Sequence, residues 1–335
     1  MKRYKYSTFA DYVNKFSRKR ILVIGDLLLD QYIWGSVSRI SPEAPVPVVW
    51  VQKEDFMPGG ACNVASNLAE FGARVMLAGV IGKDARGEIL KSRLRERNIA
   101  IEGVFADGER PTSQKTRVIA HSQQVVRIDR EGTDAVGKSL TKKIIDYVRQ
   151  NIRAIDGIVL EDYGKGIITP ALLGPVVSLA RKHGKIVAVD PKENHFSYYK
   201  GISVVTPNHH EAARAVGFPL ENTADIEKAG ERLLKKLKAD NVLITLGEKG
   251  MMLFGRSGKP HRIPTLAQEV FDVSGAGDTV IAVYTLSVVC GASSLAAAHI
   301  ANCAAGIVVG KVGVAVVNKK ELLTKLRQVT GRKGL

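Results

Sequence analysis

Short apolar segments alternate with helical patterns along most of the 335-residue chain, and this alternation restricts the possible folds more than any other feature. Strands are predicted at the apolar runs that turn residues bound, namely residues 21–24, 74–80, 157–160, 185–189, 204–205 and 241–245. Apolar residues at helical spacing separate many of these runs, as in residues 138–153 and 224–237. Strands that alternate with helices are typical of a parallel sheet with helices on both faces. We therefore predict an α/β fold with a central, mostly parallel sheet.

Two segments interrupt this alternation. Residues 32–53 contain three prolines between alternating stretches, and residues 114–130 alternate polar and apolar positions with no helix between their halves. Such alternation is typical of strands with one face in solvent. We predict that both segments form exposed antiparallel strands of one small β-sheet, which is inserted as a lid into a single domain of residues 1–335. Exposed strand edges invite pairing, so a homodimer through the lid is expected.

Composition and charge exclude several classes of protein. No run of eighteen uncharged apolar residues is present, and the charged residues 1–6 are not followed by the apolar run of a secretory signal. Cys62, Cys290 and Cys303 form no Cys-x-x-Cys pair and cannot make an even set of disulfides. These features indicate a cytoplasmic protein with no membrane partner. The net charge of +16 is spread along the chain without an aromatic-interleaved basic stripe, so no nucleic-acid partner is expected.

One glycine-rich segment has the pattern of an anion-binding site. Residues 272–278 read Asp-Val-Ser-Gly-Ala-Gly-Asp, and an apolar helix is predicted at residues 279–289. A turn of this kind at a helix N-terminus leaves backbone N–H groups without partners, next to the positive end of the helix dipole. Gly275 and Gly277 also permit positive φ and close approach of the backbone to a ligand. The segment is therefore suited to hold the charge of a phosphoryl group during transfer.

Asp278 in this segment has two interpretations, and residue chemistry alone leaves both open. Aspartate is a favoured N-cap residue, so Asp278 could serve only to begin the helix. Alternatively, Asp278 is a general base that accepts a hydroxyl proton while the neighbouring amides hold the phosphate.

Two motifs together resemble the signatures of the ribokinase-like (PfkB) family of sugar kinases. The first is the segment 272–278, and the second is Pro-Gly-Gly-Ala-Cys-Asn-Val-Ala at residues 58–65. The resemblance extends over residues 20–326 and implies a ribokinase-like three-layer sandwich with a β-sheet lid, in an enzyme that uses ATP and Mg²⁺. The catalytic residues that it implies are Asp278 as the base and Gly275, Ala276 and Gly277 as the amides of the anion hole.

The same resemblance implies residues for the substrate, the nucleotide and the metal ions. The implied sugar contacts are Asp26, Gly59, Gly60 and Asn63. The implied nucleotide and metal residues are Asn208 and Glu211, which would hold Mg²⁺ through water, Thr245, Gly247 and Gly250 in a nucleotide-binding turn, Asn302 beside the adenine, and Asp272 and Ser274 for a possible K⁺ ion. Two of these have alternatives: an Asn-x-x-Glu sequence is also typical of a helix start, and Asn302 could be a satisfied helix residue.

Within the family, residues 38–47, 115–118, 124–130 and 190–192 resemble the kinase domain of the bacterial heptose 7-phosphate kinase/adenylyltransferases. This resemblance implies phosphorylation of D-glycero-β-D-manno-heptose 7-phosphate at the anomeric hydroxyl, for precursors of the lipopolysaccharide core, with no adenylyltransferase domain in this chain. The phosphate of such a substrate requires cations. The candidates are Lys192, Arg39 and Arg127, followed by Lys115, Arg117 and Lys165. A kinase of another sugar, similar to ribokinase or fructokinase, is the alternative.

Two positions depart from the family's pattern. Glu161 stands where a small residue is more usual, and Val314 stands where threonine is expected in the C-terminal loop. The family often binds a monovalent cation through this loop, so the second departure leaves a requirement for K⁺ open.

A second motif gives the main rival prediction, a P-loop NTPase. Residues 132–139 satisfy the pattern Gly-x-x-x-x-Gly-Lys-Ser. The strand before a P-loop is central and apolar, whereas residues 127–131 are charged and alternating. Asp134 would also place a carboxylate among the phosphates. We therefore predict that this segment is a turn from the lid to a helix.

Overall fold

A nine-stranded sheet occupies the centre of the part of the chain that the computed structural model describes, which comprises residues 4–121, 123–256, 258–267, 272–311 and 315–331. The strands of these ranges are β1 (Arg20–Gly25), β2 (Leu27–Ile40), β3 (Pro47–Gly60), β4 (Arg74–Gly82), β5 (Ala100–Asp107), β6 (Ser113–Ala120), β7 (Gln123–Arg130), β8 (Gly157–Glu161), β9 (Ile186–Asp190), β10 (Val204–Val205), β11 (Asn241–Thr245), β12 (Met251–Gly255) and β13 (His261–Ile263). The helices are α1 (Tyr6–Asn14), α2 (Ala61–Glu70), α3 (Ala85–Glu96), α4 (Lys138–Asn151), α5 (Pro170–Lys182), α6 (His209–Val216), α7 (Thr223–Leu237), α8 (Ala276–Val289), α9 (Ser294–Val308) and α10 (Lys319–Gly331). Single 3₁₀ turns occur at Phe16–Arg18, Glu193–His195 and Gly247–Lys249.

The large sheet has the strand order β13-β12-β11-β10-β9-β8-β1-β4-β5. All neighbouring strands from β11 to β5 are parallel, and β12 and β13 extend one edge in antiparallel fashion. The six predicted strands correspond to β1, β4, β8, β9, β10 and β11, so the predicted mostly parallel α/β sheet is confirmed. The chain moves from β1 toward β5 on one side and from β8 toward β13 on the other. Ligands bind in such sheets outside the carboxyl ends of the strands, where the order reverses.

Helices cover both faces of this sheet, and the first strand shows why. Ile21 and Val23 belong to one hydrophobic core, whereas Leu22 and Ile24 belong to the other, and all four are fully buried. A strand that is apolar on both faces needs a layer on each side. Side chains of α1, α2, α3, α8, α9 and α10 complete the first core, and those of α4, α5, α6 and α7 complete the second. The predicted three-layer sandwich is therefore confirmed. No helix of the described ranges is long and apolar enough to cross a membrane.

The predicted lid is a separate four-stranded sheet in the order β3-β2-β6-β7. The prediction of antiparallel strands is wrong at its centre, where β2 and β6 are parallel. β2 follows β1 and β6 follows β5, and because both leave the same edge of the large sheet, they run in the same direction. Each then pairs antiparallel with its own neighbour, β3 or β7. The lid therefore rises from the carboxyl edge of the large sheet.

The segment that matches a P-loop is a connection between β7 and α4. The strand before it is an exposed edge strand of the lid, not a central strand. Arg110 Nη2 donates hydrogen bonds to the carbonyl oxygens of Asp134 (2.8 Å) and Gly132 (3.4 Å), so this segment is held through its carbonyl groups. A P-loop instead presents its amides to phosphate. The P-loop alternative is wrong, and the predicted turn is confirmed.

Candidate active site

Asp278 lies in the first turn of α8, and its side chain is buried. Asn63 Nδ2, in the first turn of α2, donates a 2.5 Å hydrogen bond to Asp278 Oδ2. The hydroxyl of Tyr163 donates a 3.4 Å hydrogen bond to Oδ1. Burial raises the pKa of the Asp278 carboxyl to about 6, although both hydrogen bonds act in the opposite direction. A carboxylate with this pKa is largely ionised near neutral pH and is still a capable proton acceptor.

The glycine turn before α8 positions this carboxylate. Gly275 is the N-cap residue with φ of +75°, so the interpretation of Asp278 as the N-cap is wrong. Gly277 lies in the first helical turn and does not take the positive φ that we predicted, because the helix already begins at Ala276. The Ala276 N–H donates to Val273 O at 3.3 Å, whereas the amides of Gly275 and Gly277 make no backbone hydrogen bond within the described residues. Two of the predicted anion-hole amides are thus not committed to the backbone.

The second glycine motif ends β3 and leads into α2. Gly60 has φ of +56°, and a Cβ at this position would lie 2.4 Å from Leu28 Cδ1. A Cβ at Gly59 would lie 2.1 Å from Asp30 Oδ2. The positive φ and the nearby backbone oxygen of Asp26 require glycine at position 60, and a side chain at position 59 would displace the Asp30 carboxylate. The close approach also brings the backbone of the motif against Asp30, a carboxylate that the sequence analysis missed.

Asp30 forms an ion pair within the lid. Arg117 Nη1 lies 2.6 Å from Asp30 Oδ1, and the Arg117 guanidinium lies 5.3 Å from the centre of the Tyr32 ring. The charge of Asp30 is one of the effects that raise the pKa of Asp278, so the ion pair lies close to the active site. Arg117 was predicted as a further phosphate-binding candidate, and in the structure its guanidinium is paired with the Asp30 carboxylate.

Asp26 follows β1, as the sequence predicts. Most of the hydrogen bonds that its carboxylate can accept, however, come from backbone N–H groups of the protein. Its Oδ2 accepts from the backbone N–H groups of Tyr163 (2.8 Å) and Lys165 (3.0 Å), and its Oδ1 accepts from that of Ile167 (3.2 Å). Burial raises the pKa of Asp26 to about 6 against these hydrogen bonds. Asp26 therefore fixes the loop that carries Tyr163, and its contact with a sugar stays a prediction.

Two further carboxylates lie at the carboxyl ends of β8 and β9. Glu161 and Asp190 are register partners on these adjacent strands. Ligand oxygens of Glu161, Asp190 and Asp278 all lie within 4.8 Å of one another. Burial first, and then the charges of neighbouring carboxylates, raise the pKa of Glu161 and Asp190 well above the usual range. The sequence analysis assigned neither residue to the site, although the rule that strand ends share one edge could have found both.

Asn208 and Glu211 begin α6 as a capping box. Asn208 Oδ1 accepts from the Glu211 N–H at 3.0 Å, and Glu211 Oε2 accepts from the Asn208 N–H at 2.9 Å. The alternative of a helix start is therefore confirmed, and the second Glu211 oxygen lies outside the capping box. A β-bridge joins Asn208 to Thr245, whose N–H donates to Pro207 O at 2.9 Å. The predicted metal and nucleotide residues are thus neighbours at the ends of β10 and β11.

The predicted nucleotide-binding turn follows β11. Gly247 and Gly250 have φ of +58° and +86°, and a Cβ at Gly250 would lie 2.1 Å from a backbone oxygen, so the turn needs both glycines. Asn302 is buried in α9, and its Nδ2 donates a 2.8 Å hydrogen bond to Pro264 O. The side-chain amide of Asn302 is therefore hydrogen-bonded within the protein, as the alternative of a satisfied helix residue expects. Its predicted place beside adenine stays a prediction.

The candidates for a monovalent cation lie in the turn before α8. Asp272 Oδ1 accepts a 2.8 Å hydrogen bond from the Ser274 N–H, which closes a local turn. The Asp272 N–H donates to Val309 O at 3.3 Å. Val314, the departure in the C-terminal loop, lies outside the described residues. The K⁺ site stays a prediction.

The basic candidates for a substrate phosphate differ in their partners. Three are paired with lid carboxylates: Lys165 with Glu131 (2.5 Å), Lys115 with Asp129 (3.0 Å) and Arg127 with Asp129 (2.9 Å). Arg39 is exposed on β2 and lies nine residues, or roughly 30 Å, along the strand from Asp30. The structure therefore does not bring Arg39 to Asp278 within one chain. None of the ion pairs formed among the described residues involves Lys192.

Lys192 is positioned by a buried hydrogen-bond network. Its backbone N–H donates to the Tyr199 hydroxyl at 2.9 Å, and that hydroxyl donates to Asp162 Oδ2 at 2.6 Å. His195 Nδ1 lies 2.8 Å from the same oxygen. A Cβ at Gly164 would lie 3.4 Å from Lys192 Cγ, so the lysine stem packs over this glycine. The network fixes the backbone of Lys192 two residues beyond the end of β9.

Fold and site together define a ribokinase-like kinase: a three-layer sandwich with a β lid, and an aspartate beside a glycine turn at the carboxyl edge of the sheet. Among solved structures, Arabidopsis thaliana ribokinase complexed with ribose and ATP matches with a TM-score of 0.73 at 21% identity, covering 92% of this chain and 99% of that chain. Phosphofructokinase-2 from Escherichia coli in complex with potassium matches with a TM-score of 0.77 at 20% identity, covering 94% and 99%. At such identities these likenesses establish the fold alone.

The chain belongs to the pfkB family of carbohydrate kinases, whose family profile matches residues 18–321. Similar proteins include the bifunctional protein HldE of Citrifermentans bemidjiense, 47% identical over 92% of this chain and 63% of the relative. The bifunctional protein HldE of Helicobacter pylori strain J99 is 44% identical over 92% of this chain and 67% of the relative. The chain spans less than two thirds of the length of the first of these relatives.

Proposed function

We propose that the chain catalyses ATP-dependent phosphorylation of a sugar hydroxyl with Asp278 as the general base. The observation that carries the proposal is the position of Asp278, which is buried beside the uncommitted amides of Gly275 and Gly277. The acceptor hydroxyl gives its proton to Asp278, its oxygen attacks the γ-phosphorus of ATP in line, and the bond from that phosphorus to ADP breaks. Asn63 orients the carboxylate, and the two amides stabilise the charge on the transferred group.

Asn208 and Glu211 fit a Mg²⁺ ion that is held through water. Magnesium in phosphoryl-transfer sites keeps several waters and takes one or two carboxylates together with substrate phosphates. The capping box uses Glu211 Oε2 and leaves the other oxygen of that carboxylate. When bound, Mg²⁺ supplies positive charge to the phosphates. The residues proposed for ATP are Thr245, Gly247, Gly250 and Asn302, with Asp272 and Ser274 proposed for K⁺.

The proposed acceptor is D-glycero-β-D-manno-heptose 7-phosphate, which would become the 1,7-bisphosphate in the synthesis of ADP-heptose for lipopolysaccharide. Support comes from the 47% identity to proteins named bifunctional protein HldE. It also comes from the ion pairing of the basic candidates for the substrate phosphate, which differs at Lys192. Lys192 takes part in none of the ion pairs among the described residues, and its backbone is fixed beyond the end of β9. We assign it to the phosphate of the acceptor and assign Asp26, Gly59, Gly60 and Asn63 to the sugar hydroxyls.

The lid is proposed to cover the acceptor and to pair with a second lid. Within the described residues, large exposed apolar side chains concentrate on this sheet and on the turn between β2 and β3: Ile40, Val46, Trp50, Val51, Val125, Val126 and Ile128. Exposed apolar strands with free edges favour association. A homodimer through the lid would bury those of these side chains that lie on the shared face, and the lid itself would exclude water from the transferred phosphate.

A coupled assay of ADP release tests the reaction and its acceptor together. We expect ADP release with sugar 7-phosphates that have a free anomeric hydroxyl, and much slower release with ribose, fructose or unphosphorylated heptose. Turnover of ribose or fructose at a higher kcat/KM than any sugar 7-phosphate would reassign the acceptor and keep the kinase. No ADP release with any of these sugars would overturn the proposed reaction.

A further inference from the structure

Tyr163 contacts both of the aspartates that we assign to the acceptor. Its hydroxyl donates a 3.4 Å hydrogen bond to Asp278 Oδ1, and its backbone N–H donates a 2.8 Å hydrogen bond to Asp26 Oδ2. The ring is partly buried. One residue therefore joins the proposed base to the carboxylate that fixes the opposite side of the sugar site.

The turn that carries Tyr163 is held at several points besides the hydrogen bonds to Asp26. Asp162 Oδ1 accepts from the Gly164 N–H at 2.8 Å, and Gly166 O accepts from the Val136 N–H at 3.0 Å. A buried carboxylate and a segment outside the turn thus both restrain its backbone. Because the backbone is restrained, the position of the phenol ring is set before an acceptor arrives.

The phenol is a permanent donor. The charge of Asp278 first, and then burial, raise the pKa of Tyr163 well above its usual range, so the hydroxyl keeps its proton near neutral pH. A donated hydrogen bond favours the ionised form of a carboxylate, and the hydrogen bonds from Asn63 and Tyr163 both lower the pKa of Asp278. Tyr163 therefore acts on Asp278 in the direction opposite to burial.

We propose that Tyr163 is a positioning residue of the reaction, whose hydroxyl fixes the orientation of the Asp278 carboxylate together with Asn63. Asn63 donates to Oδ2 and Tyr163 donates to Oδ1, so rotation of the carboxylate about its Cβ–Cγ bond would break a hydrogen bond. A base that a third group orients is typical of sites that activate a hydroxyl. The proposal rests on the proposed function, in which Asp278 takes the proton of the acceptor.

The variant Tyr163→Phe tests the proposal because it keeps the ring and removes only the hydroxyl. In the ADP-release assay we expect kcat at pH 8 to fall about tenfold, because the base is less well oriented. The acid limb of kcat/KM should also move to higher pH by about half a unit, because a hydrogen bond to the ionised carboxylate is lost and the bond is a long one. A variant that only loosened the structure would lower the rate without moving the limb.

The other groups that act on Asp278 are unchanged by this substitution. Charged carboxylates approach it from three strands: Asp30 of β2, Glu161 of β8 and Asp190 of β9. All three remain in Tyr163→Phe, so a displaced limb reports the lost hydroxyl.

Tyr147→Phe is the matched control. Tyr147 lies in α4, and its buried hydroxyl has no hydrogen-bond partner among the described residues. Loss of this hydroxyl should leave both kcat and the acid limb as in the wild type. Thermal unfolding checks that the two variants are folded.

Nuclear magnetic resonance of chain labelled with ¹³C-aspartate measures the titration of Asp278 without turnover, with Asp278→Asn to identify its signal. We expect the midpoint to rise by about half a pH unit in Tyr163→Phe and to stay unchanged in Tyr147→Phe. An unchanged midpoint in Tyr163→Phe, or a wild-type kcat, would overturn the positioning role and keep the kinase. Absence of ADP release by the wild type with every sugar would instead overturn the proposed function, and the titration would still decide whether Tyr163 holds the carboxylate.

Discussion

Asn63 and Asp278 are joined by a 2.5 Å hydrogen bond from the side-chain amide to the carboxylate, across 215 positions of the sequence. Asn63 lies in the first turn of α2, directly after Gly59 and Gly60, and Asp278 lies in the first turn of α8. The two glycine motifs therefore meet at one carboxylate. Because Asn63 donates to Oδ2 and the Tyr163 hydroxyl donates to Oδ1, an acceptor hydroxyl must approach one of the lone pairs that these two hydrogen bonds leave.

Replacement of Asp278 by asparagine should slow catalysis strongly and spare the fold. Asparagine keeps the shape and can still accept the hydrogen bond from Asn63, but it cannot take a proton. We expect kcat to fall by about a hundredfold or more in the ADP-release assay. Thermal unfolding should show a melting temperature equal to or above that of the wild type, because a buried charge is lost. A variant with the wild-type rate would show that Asp278 is not the base.

The pH dependence of kcat/KM should report the pKa of Asp278. Burial raises that pKa from 3.8 to about 6, and the base must be ionised to accept a proton. The rate should therefore be nearly constant above about pH 7 and fall about tenfold per unit below pH 6. The measurement is a profile from pH 5 to 8 at a fixed Mg²⁺ concentration. A profile that stays flat down to pH 5 would mean that Asp278 is not desolvated during turnover, and the residual activity of Asp278→Asn should lack the acid limb.

The sequence predicted the parts of the site that local patterns determine. The strand that precedes Asp26, the strand that ends at Thr245 and the glycine turn at Gly275 follow from apolar runs and turn residues close to each feature. The same patterns allowed Asn208 and Glu211 to be a helix start, which the capping box confirms.

What the sequence missed depends on contacts between distant segments. The ion pair of Asp30 and Arg117 requires β2 to lie beside β6, and no local pattern reports which strands of two separate insertions become neighbours. The proximity of Glu161 to Asp190 likewise depends on the strand order. The φ of Gly277 was predicted wrongly because a shift of one or two residues in a helix start decides whether a glycine lies in the turn or in the helix.

Addition of one methyl group at Gly59 should be far more damaging than the same change on the surface. A Cβ at Gly59 would lie 2.1 Å from Asp30 Oδ2 and would push that carboxylate away from Arg117. We expect Gly59→Ala to lower the free energy of unfolding by about 1 to 3 kcal/mol, as is usual for steric conflict in a packed interior.

Gly108→Ala is the matched control for this change. A Cβ at Gly108 meets nothing within 4 Å, so its free energy of unfolding should change by less than about 0.5 kcal/mol. Urea denaturation of both variants provides the comparison. Equal stability of the two would mean that the backbone at Gly59 relaxes without cost.

Lys192 and Lys165 should differ in their effect on a phosphorylated acceptor. Lys192 makes none of the ion pairs among the described residues, whereas Lys165 lies 2.5 Å from Glu131. We expect Lys192→Gln to raise KM for a sugar 7-phosphate by about tenfold or more, because a charge-assisted contact to phosphate is lost, with no change for the unphosphorylated sugar. Lys165→Gln should give a smaller effect that is the same for both acceptors. Steady-state kinetics with the phosphorylated and the unphosphorylated acceptor distinguish the two lysines. If Lys192→Gln raised KM equally for both acceptors, Lys192 would not bind the phosphate.

A charge on the exposed face of the lid should separate the two chains of the proposed dimer. Trp50 lies on the edge strand β3 and is 73% exposed in the single chain, although large aromatic side chains are seldom so exposed unless they form an interface. In a lid-to-lid dimer it would be buried, and Trp50→Asp would leave an unpaired carboxylate in an apolar contact. We expect sedimentation equilibrium at micromolar concentration to show a dimer for the wild type and a monomer for Trp50→Asp.

Lys182→Asp, on the exposed side of α5 away from the lid, should remain dimeric. A wild type that sediments as a monomer at this concentration, or a Trp50→Asp variant that stays dimeric, would show that the chains do not associate through this sheet.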